Sequence, residues 1–319
     1  MSNTAPLDQV GGSAATAPVR ELLPGRDVVL GGVRGFAVTR TLPQRPRSLI
    51  GAWCFADTYG PVHLVPDDEG MRVPPHPHTG LQTVTWLIDG DVLHRDSLGN
   101  TRTVRPGQLN LMTAGHGIAH SEESPPGRPP VLGGAQLWVA LPDRHRDVAA
   151  HFEHHPDLPR RVEPGVTVTV IAGELDGVAS PARTYTALFG AEVAFESAAL
   201  TQVPLDPDFE YGALTLAGSA EVDGVALPTG ALLYLGRGRS ALDLRAGGPG
   251  RVLLLGGEPF DDPIVMWWNF VGRDHDAIVA AREDWTAGRR FGPVHGYDGA
   301  ALPAPALPTT RLLPRARPR

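Results

Sequence analysis

Two short motifs carry the most specialised chemistry of this chain. His76-Pro77-His78 and His120-Ser121-Glu122 each place two potential metal ligands two residues apart. Successive side chains of a β-strand point to opposite faces, so residues two apart share a face. A strand carrying the first motif therefore aims two imidazoles one way, and a strand carrying the second aims an imidazole and a carboxylate one way. If the strands are neighbours in a barrel with these faces inward, His76, His78, His120 and Glu122 converge on one point. Three neutral nitrogens and one carboxylate oxygen form a donor set suited to Fe(II), Mn(II), Ni(II), Cu(II) or Zn(II). His76 and His78 alone would read as a solvated loop before a strand; the matched spacing of the second motif points instead to a divalent transition metal.

Holding four ligands in this way needs stiff elements around them. Pro74-Pro75 precedes the first motif and Pro77 divides it, which limits backbone freedom and lowers the entropy lost on ordering. Gly80 follows where the chain enters a strand, and Asp89-Gly90 is a hairpin signal. Pro106-Gly107 opens another strand, and Gly115 and Gly117 precede His120. This succession of turns and strands suits a small antiparallel barrel.

The remainder of the chain fits a β-rich reading. Short apolar runs at 35–41, 82–89, 108–112, 135–141 and 166–172 are separated by turn dipeptides, and the 319 residues include 38 Gly and 32 Pro. A second β-rich half runs from about 166 to 258, with strand-like runs at 211–217, 231–235 and 251–255. In it Pro228-Thr229-Gly230 opens an apolar strand much as Pro106-Gly107 does in the first half, a hint of duplication. No histidine lies between His155 and His275, so a repeated barrel would have lost the histidines of its site. The polar stretch holding His151, His154 and His155 reads as an exposed linker, because Pro156 and Pro159 break any long helix there. Asp274 is a plausible N-cap for a helix in which Ile278, Arg282 and Trp285 recur at helical spacing and Gly288 ends the run. The expected organisation is a flexible tail over 1–20, a metal-binding domain over 21–145, a linker over 146–165, a metal-free domain over 166–295 and a flexible Pro/Arg tail over 301–319.

Bulk properties narrow the function. A net charge of −7 argues against general nucleic-acid binding, which needs a basic surface. The single cysteine, Cys54, excludes an intrachain disulfide and reads as a small buried apolar residue between Trp53 and Phe55. No basic-then-apolar leader opens the sequence, and no apolar run reaches the roughly 18 residues of a membrane span. A cytoplasmic protein without membrane contact is expected.

The motif region resembles the pirin family of the cupin superfamily. Pro75-His76-Pro77-His78-Thr79-Gly80 is similar to its first motif, and Met112-Thr113-Ala114-Gly115-His116-Gly117-Ile118-Ala119-His120-Ser121-Glu122 to its second. Gly256-Gly257-Glu258-Pro259-Phe260, Pro263-Ile264-Val265 and Asn269-Phe270-Val271 extend the likeness towards the C-terminus. The resemblance implies an all-β bicupin: two tandem cupin (double-stranded β-helix) barrels with a short C-terminal helix, and one metal held in the first barrel by His76, His78, His120 and Glu122. Two positions depart from the family pattern. Gln82 stands where many members carry Glu, leaving Glu122 as the carboxylate ligand. His116 stands where many carry Arg, and reads equally as a donor behind the ligands or as a surface residue.

Pirin-like proteins include some similar to quercetin 2,3-dioxygenases, which open a flavonol with O2 and release carbon monoxide. The implied function is such a dioxygenase, with Fe(II) as the first choice of metal, a small aromatic substrate, and Glu122 as the base that accepts the flavonol hydroxyl proton. The alternative implied by the family is a metal- and redox-dependent regulator that docks on a transcription factor or metabolic enzyme. A metal-dependent isomerase or hydrolase is a third class open to cupins, but no separate nucleophile or phosphate-binding loop favours it.

Overall fold

The computed structural model of the chain describes residues 19–30, 36–65 and 69–314. Its apolar runs pair as antiparallel strands in two barrels, each built from a seven-stranded and a four-stranded sheet. In the first barrel the larger sheet runs His151–His155, Leu109–Thr113, Leu81–Asp89, Val131–Ala140, Trp53–His63, Phe36–Leu42, Arg26–Leu30. The smaller sheet runs Arg72–His78, Ile118–Glu123, Val92–Asp96, Thr101–Val104. The second barrel has the same plan. Its larger sheet runs Glu21–Pro24, Ala231–Gly236, Glu210–Ala217, Gly250–Gly257, Leu188–Phe195, Val166–Ala172, Arg160–Glu163, and its smaller one Ala199–Pro204, Ala241–Ala246, Ala220–Val222, Val225–Leu227. The two strands that begin after similar Pro/Gly turns, Leu109–Thr113 and Ala231–Gly236, hold the same second place in their sheets. Among the described residues the fold is all-β apart from one three-residue 3-10 turn and a C-terminal α-helix, His275–Thr286.

Burial patterns follow from this layering. Leu81–Asp89 is buried at every position up to Asp89, because one face lines the first barrel and the other meets the second. Val92–Asp96 instead alternates buried and half-buried residues, as a strand with only one covered face does. A single apolar cluster joins the barrels, with Trp53, Trp86 and Leu137 from the first and Leu214, Leu253 and Leu255 from the second. Trp53 Nε1 donates to the carbonyls of Phe189 at 3.0 Å and Gly256 at 3.1 Å, so this large ring enters the joint without an unpaired polar atom. Gly51 adopts φ +52°, and a Cβ there would lie 2.9 Å from Gly257 Cα, so this close approach of the two barrels depends on glycine.

Each barrel also lends the other a segment. Glu21–Pro24 pairs with Ala231–Gly236 of the second barrel, and the chain then enters the first with Arg26–Leu30. In return, the hairpin Val265–Trp267 and Phe270–Gly272 reaches back to the first barrel, where Val271 N donates to Thr79 O at 3.0 Å. The helix after this hairpin is capped as its sequence predicts, with the Asp274 carboxylate accepting from Ala277 N at 2.8 Å and Ile278 and Ala281 buried.

Three segments differ from the sequence expectation. The polar stretch over 146–165 is not an exposed linker throughout: His151–His155 pairs with Leu109–Thr113, and Arg160–Glu163 with Val166–Ala172. Edge strands with one covered face accept polar residues, and the two prolines at 156 and 159 sit in or beside the turn between them. The C-terminal stretch over 301–314 is a strap rather than a free tail. Leu302 N donates to Pro75 O and Leu302 O accepts from Trp285 Nε1, both at 2.8 Å, and Leu307 and Leu312 pack on the helix-side cluster. Its prolines lack N–H donors, but a carbonyl still serves, as when Pro305 O accepts from Arg282 Nε. Of the tail expected over 1–20, Val19 O accepts from Arg239 Nη2, while residues 1–18 and 315–319 lie outside the described residues. No helix among the described residues is long and apolar enough to cross a membrane.

Candidate metal centre

The smaller sheet of the first barrel builds the site. Its strand Ile118–Glu123 lies between Arg72–His78 and Val92–Asp96, with His120 opposite His76 on one side and opposite Asp96 on the other. The potential ligand nitrogens of His76, His78 and His120 all lie within 4.8 Å of one another, and all three residues are buried. The expected imidazole convergence is therefore present.

The hydrogen bonds orient these rings. His76 Nδ1–H donates to Pro74 O at 2.9 Å, and His78 Nδ1–H donates to Asn269 O, in the returning C-terminal segment, at 3.0 Å. A carbonyl can only accept, so each neutral ring keeps its proton on Nδ1 and presents a bare Nε2. The Nε2 atoms of His78 and His120 are 3.0 Å apart. Two nitrogens bound at about 2.1 Å to one ion at right angles would be separated by about 3.0 Å, so the spacing fits a shared metal. Burial lowers the His76 pKa to about 4, and burial together with the neighbouring imidazoles lowers those of His78 and His120 well below the ordinary value. All three rings are thus neutral near pH 7, the form that ligates metals.

Glu122 is nearby but offset. Its carboxylate groups with His94 and His120 within 4.8 Å rather than joining one cluster with all three other expected ligands. The strand pairing steps from His120 opposite His76 to Glu122 opposite Val73, so two residues, Pro74 and Pro75, oppose Ser121. Neither proline can donate to the ladder, and the resulting bulge re-aims the residues beyond it. Burial raises the Glu122 carboxyl above its ordinary range, against the pull of His94 and of the hydrogen bond from Thr85 Oγ1 at 3.0 Å.

The structure adds two residues that the sequence reading missed. His94 Nδ1 lies 3.4 Å from His120 Nδ1, and His94 Nε2 lies 3.2 Å from Asp96 Oδ2. His94-Arg95-Asp96 has the same two-residue spacing as the other motifs, and that signal was available in the sequence. Burial works to raise the Asp96 carboxyl, but hydrogen bonds from His94 and Asn100 outweigh it and hold the group below the ordinary range. The two departures from the family pattern also find their places. Gln82 is buried, with Nε2 donating to Thr113 Oγ1 and Arg183 O, both at 2.9 Å. His116 is a surface residue, its side chain 64% exposed. Of the linker histidines, His151 and His155 share the Glu153 carboxylate and His154 contacts Asn110; among the described residues none joins a metal-ligand cluster.

Tandem eleven-stranded barrels with, among the described residues, a buried imidazole cluster in the first alone define a bicupin with one candidate metal centre. Comparison with known proteins narrows this class. The Pirin family model matches residues 35–139, and that of the Pirin C-terminal cupin domain matches 190–292; the chain belongs to the pirin family. It is 51% identical over 284 residues to a Pseudomonas aeruginosa protein named "Putative quercetin 2,3-dioxygenase", with 89% of each chain covered. A pirin-like protein of Caulobacter vibrioides is 36% identical, over 80% of this chain and 89% of the relative. The crystal structure of quercetin 2,3-dioxygenase from Acinetobacter baumannii superposes with a TM-score of 0.88 at 43% identity, covering 94% of this chain and 98% of that one.

Proposed function

We propose that this protein is a metal-dependent dioxygenase of the quercetin 2,3-dioxygenase type, cleaving a flavonol or similar enolic aromatic with O2. The observation that carries this reading is the convergence of three buried, neutral imidazoles beside a buried carboxylate. The names borne by the Pseudomonas and Acinetobacter relatives support the substrate class. We assign His76, His78, His120 and Glu122 as ligands of one divalent transition metal ion, with Fe(II) as the first choice among the metals that three nitrogens and one oxygen suit. Such an ion supplies Lewis acidity towards the substrate hydroxyl and a path for electron density towards O2.

The chain's own residues supply the rest. Pro74 O and Asn269 O hold the rings of His76 and His78 in the ligating tautomer. Glu122, a buried carboxylate, accepts the flavonol hydroxyl proton. Thr85 keeps the carboxylate in place through Oε1. A cytosolic, reducing setting agrees with the lone buried thiol of Cys54.

The test is O2 uptake with quercetin by Fe(II)-loaded protein, beside a His78→Ala control. Metal-dependent uptake that the control lacks is the expected result. Protein shown to hold its metal yet giving no uptake would reject quercetin as the substrate. Glu122→Gln retains part of the metal and loses rate; full turnover by that variant would remove Glu122 as the base.

A further inference from the structure

His120 is held differently from the other two imidazoles. His76 and His78 are each fixed through Nδ1 by a backbone carbonyl, whereas Nδ1 of His120 faces Nδ1 of His94 at 3.4 Å. His94 in turn faces Asp96 Oδ2 through Nε2 at 3.2 Å, with both residues buried. The Asp96 carboxylate is itself fixed. Its Oδ1 accepts from Leu98 N and Asn100 N, each at 3.0 Å, and the Asn100 side-chain amide donates to both of its oxygens. The plane of the His94 ring is set by Phe152, stacked on it at 4.4 Å with 14° between the rings.

The direction of each hydrogen bond comes from chemistry. An ionised carboxylate only accepts, so His94 Nε2–H donates to Asp96. A singly protonated His94 that gives its proton to Asp96 has a bare Nδ1, which accepts from His120 Nδ1–H. His120 then has its bare nitrogen at Nε2, the atom 3.0 Å from His78 Nε2. We propose that His94 is a positioning residue for the metal centre: bridging Asp96 and His120, it locks His120 in the tautomer that turns a bare Nε2 towards the metal. Two ligands are thus set by backbone carbonyls and the third by a side-chain relay ending in a negative charge, which makes His120 a better electron donor. The proposal rests on the reading of His76, His78 and His120 as ligands.

The ring of His94 could instead serve only as packing against Phe152, and substitution separates the two roles. His94→Gln keeps an acceptor for His120 and a donor for Asp96, while His94→Phe keeps the stacked ring and loses both. Co(II) affinity is measured by competition with a chromophoric chelator, together with the visible spectrum of the Co(II) protein and the melting temperature of the metal-free protein. Wild type is expected to bind one Co(II) per chain, His94→Phe to bind roughly 10- to 100-fold more weakly, and His94→Gln to stay within about threefold of wild type with a matching spectrum. A packing role predicts the reverse order, and Phe binding as well as Gln or better would overturn the relay. So would a second Co(II) in wild type that is lost in both variants, since His94 would then be a ligand. The tautomer is also read without metal from histidine ring 15N spectra of the wild type: a bare His120 Nε2 is expected, and a proton on it would overturn the proposal even if His94→Phe failed to fold. Wild type whose Co(II) binding ignores His78→Ala would instead remove the ligand reading, a result distinct from failure of the relay.

Discussion

The two barrels share a plan and differ in what fills them. Their smaller sheets have the same strand order, so the strands that carry the three polar pairs of the first barrel have counterparts in the second. The strand of His76 and His78 corresponds to Ala199–Pro204, where Thr201 and Val203 are buried. That of His120 and Glu122 corresponds to Ala241–Ala246, with Leu242 and Leu244 buried, and that of His94 and Asp96 to Ala220–Val222, with Ala220 and Val222 buried. In each case two side chains two residues apart point into the barrel. In the second barrel all of these but Thr201, which donates to the Glu163 carboxylate, join an apolar core with Val168, Phe189, Val193 and Leu254. In the first they form a polar centre, and the apolar cluster on that side, around Tyr59, Leu87 and Leu132, is smaller. The same strand periodicity thus serves stability in one barrel and ligand presentation in the other.

The comparison fails first if the ligands are dispensable. His120→Ala removes the imidazole at the centre of the cluster, and is expected to abolish both metal binding and turnover while the protein stays folded. Elemental analysis and circular dichroism of the purified variant check this; retained metal would show that the convergence of imidazoles is not what holds it. The counterpart in the second barrel, Leu244→Ala, is expected to act oppositely. It opens a cavity in a close-packed core and costs about 2–5 kcal/mol, while metal content per folded chain is unchanged. Urea unfolding with parallel metal analysis separates the two effects, and loss of metal at unchanged stability would mean that the second barrel reaches into the site.

Gly80 tests the segment that crosses between them. It has φ +68°, and a Cβ there would collide with Val271 O. Gly80→Ala is expected to cost about 1–3 kcal/mol of strain, and to weaken metal binding by loosening the returning segment whose Asn269 carbonyl orients His78. Chelator competition and thermal melting read the two consequences. Wild-type metal affinity in a destabilised variant would show that the segment supports the fold without supporting the site.

Local features of the molecule were legible in the sequence; the exchanges between its parts were not. Strand runs, the spacing of the imidazoles and the Asp274 cap depend on residues close in the chain, and the structure reproduces them. The hydrogen bond from His78 to Asn269 spans 191 positions, and no local pattern marks Asn269 as its acceptor. The pairing of Glu21–Pro24 with the second barrel is likewise set by which sheet edge is free, a property of the assembled fold. The offset of Glu122 depends on a bulge: Pro74-Pro75 signalled a constrained backbone, but not the direction in which it would turn the facing strand. His94 and Asp96 are readable by the rule that finds the other pairs. The adjoining Gly99-Asn100 hides them, because it reads as a turn, whereas Asp96 serves both turn and site, accepting from Asn100 and from His94.

The smallest expected effect concerns Cys54, at the joint between the barrels. It is fully buried beside Trp53, its thiol is directed at Trp138 O at 3.6 Å, and burial pushes its pKa up to about 12. A thiol with that pKa is almost entirely protonated at pH 8, and the protonated form neither attacks disulfide reagents nor binds metals well. Native protein is therefore expected to leave Cys54 unmodified by a chromogenic disulfide at pH 8, and protein unfolded in urea to react with one equivalent. Cys54→Ala deletes one sulfur from a packed joint, so it is expected to cost about 1 kcal/mol and to leave Co(II) affinity unchanged. A native thiol that reacts readily, or a variant with altered metal affinity, would mean that the joint opens or communicates with the first barrel's centre. The division between a ligand-bearing barrel and an apolar one would then no longer describe how the molecule works.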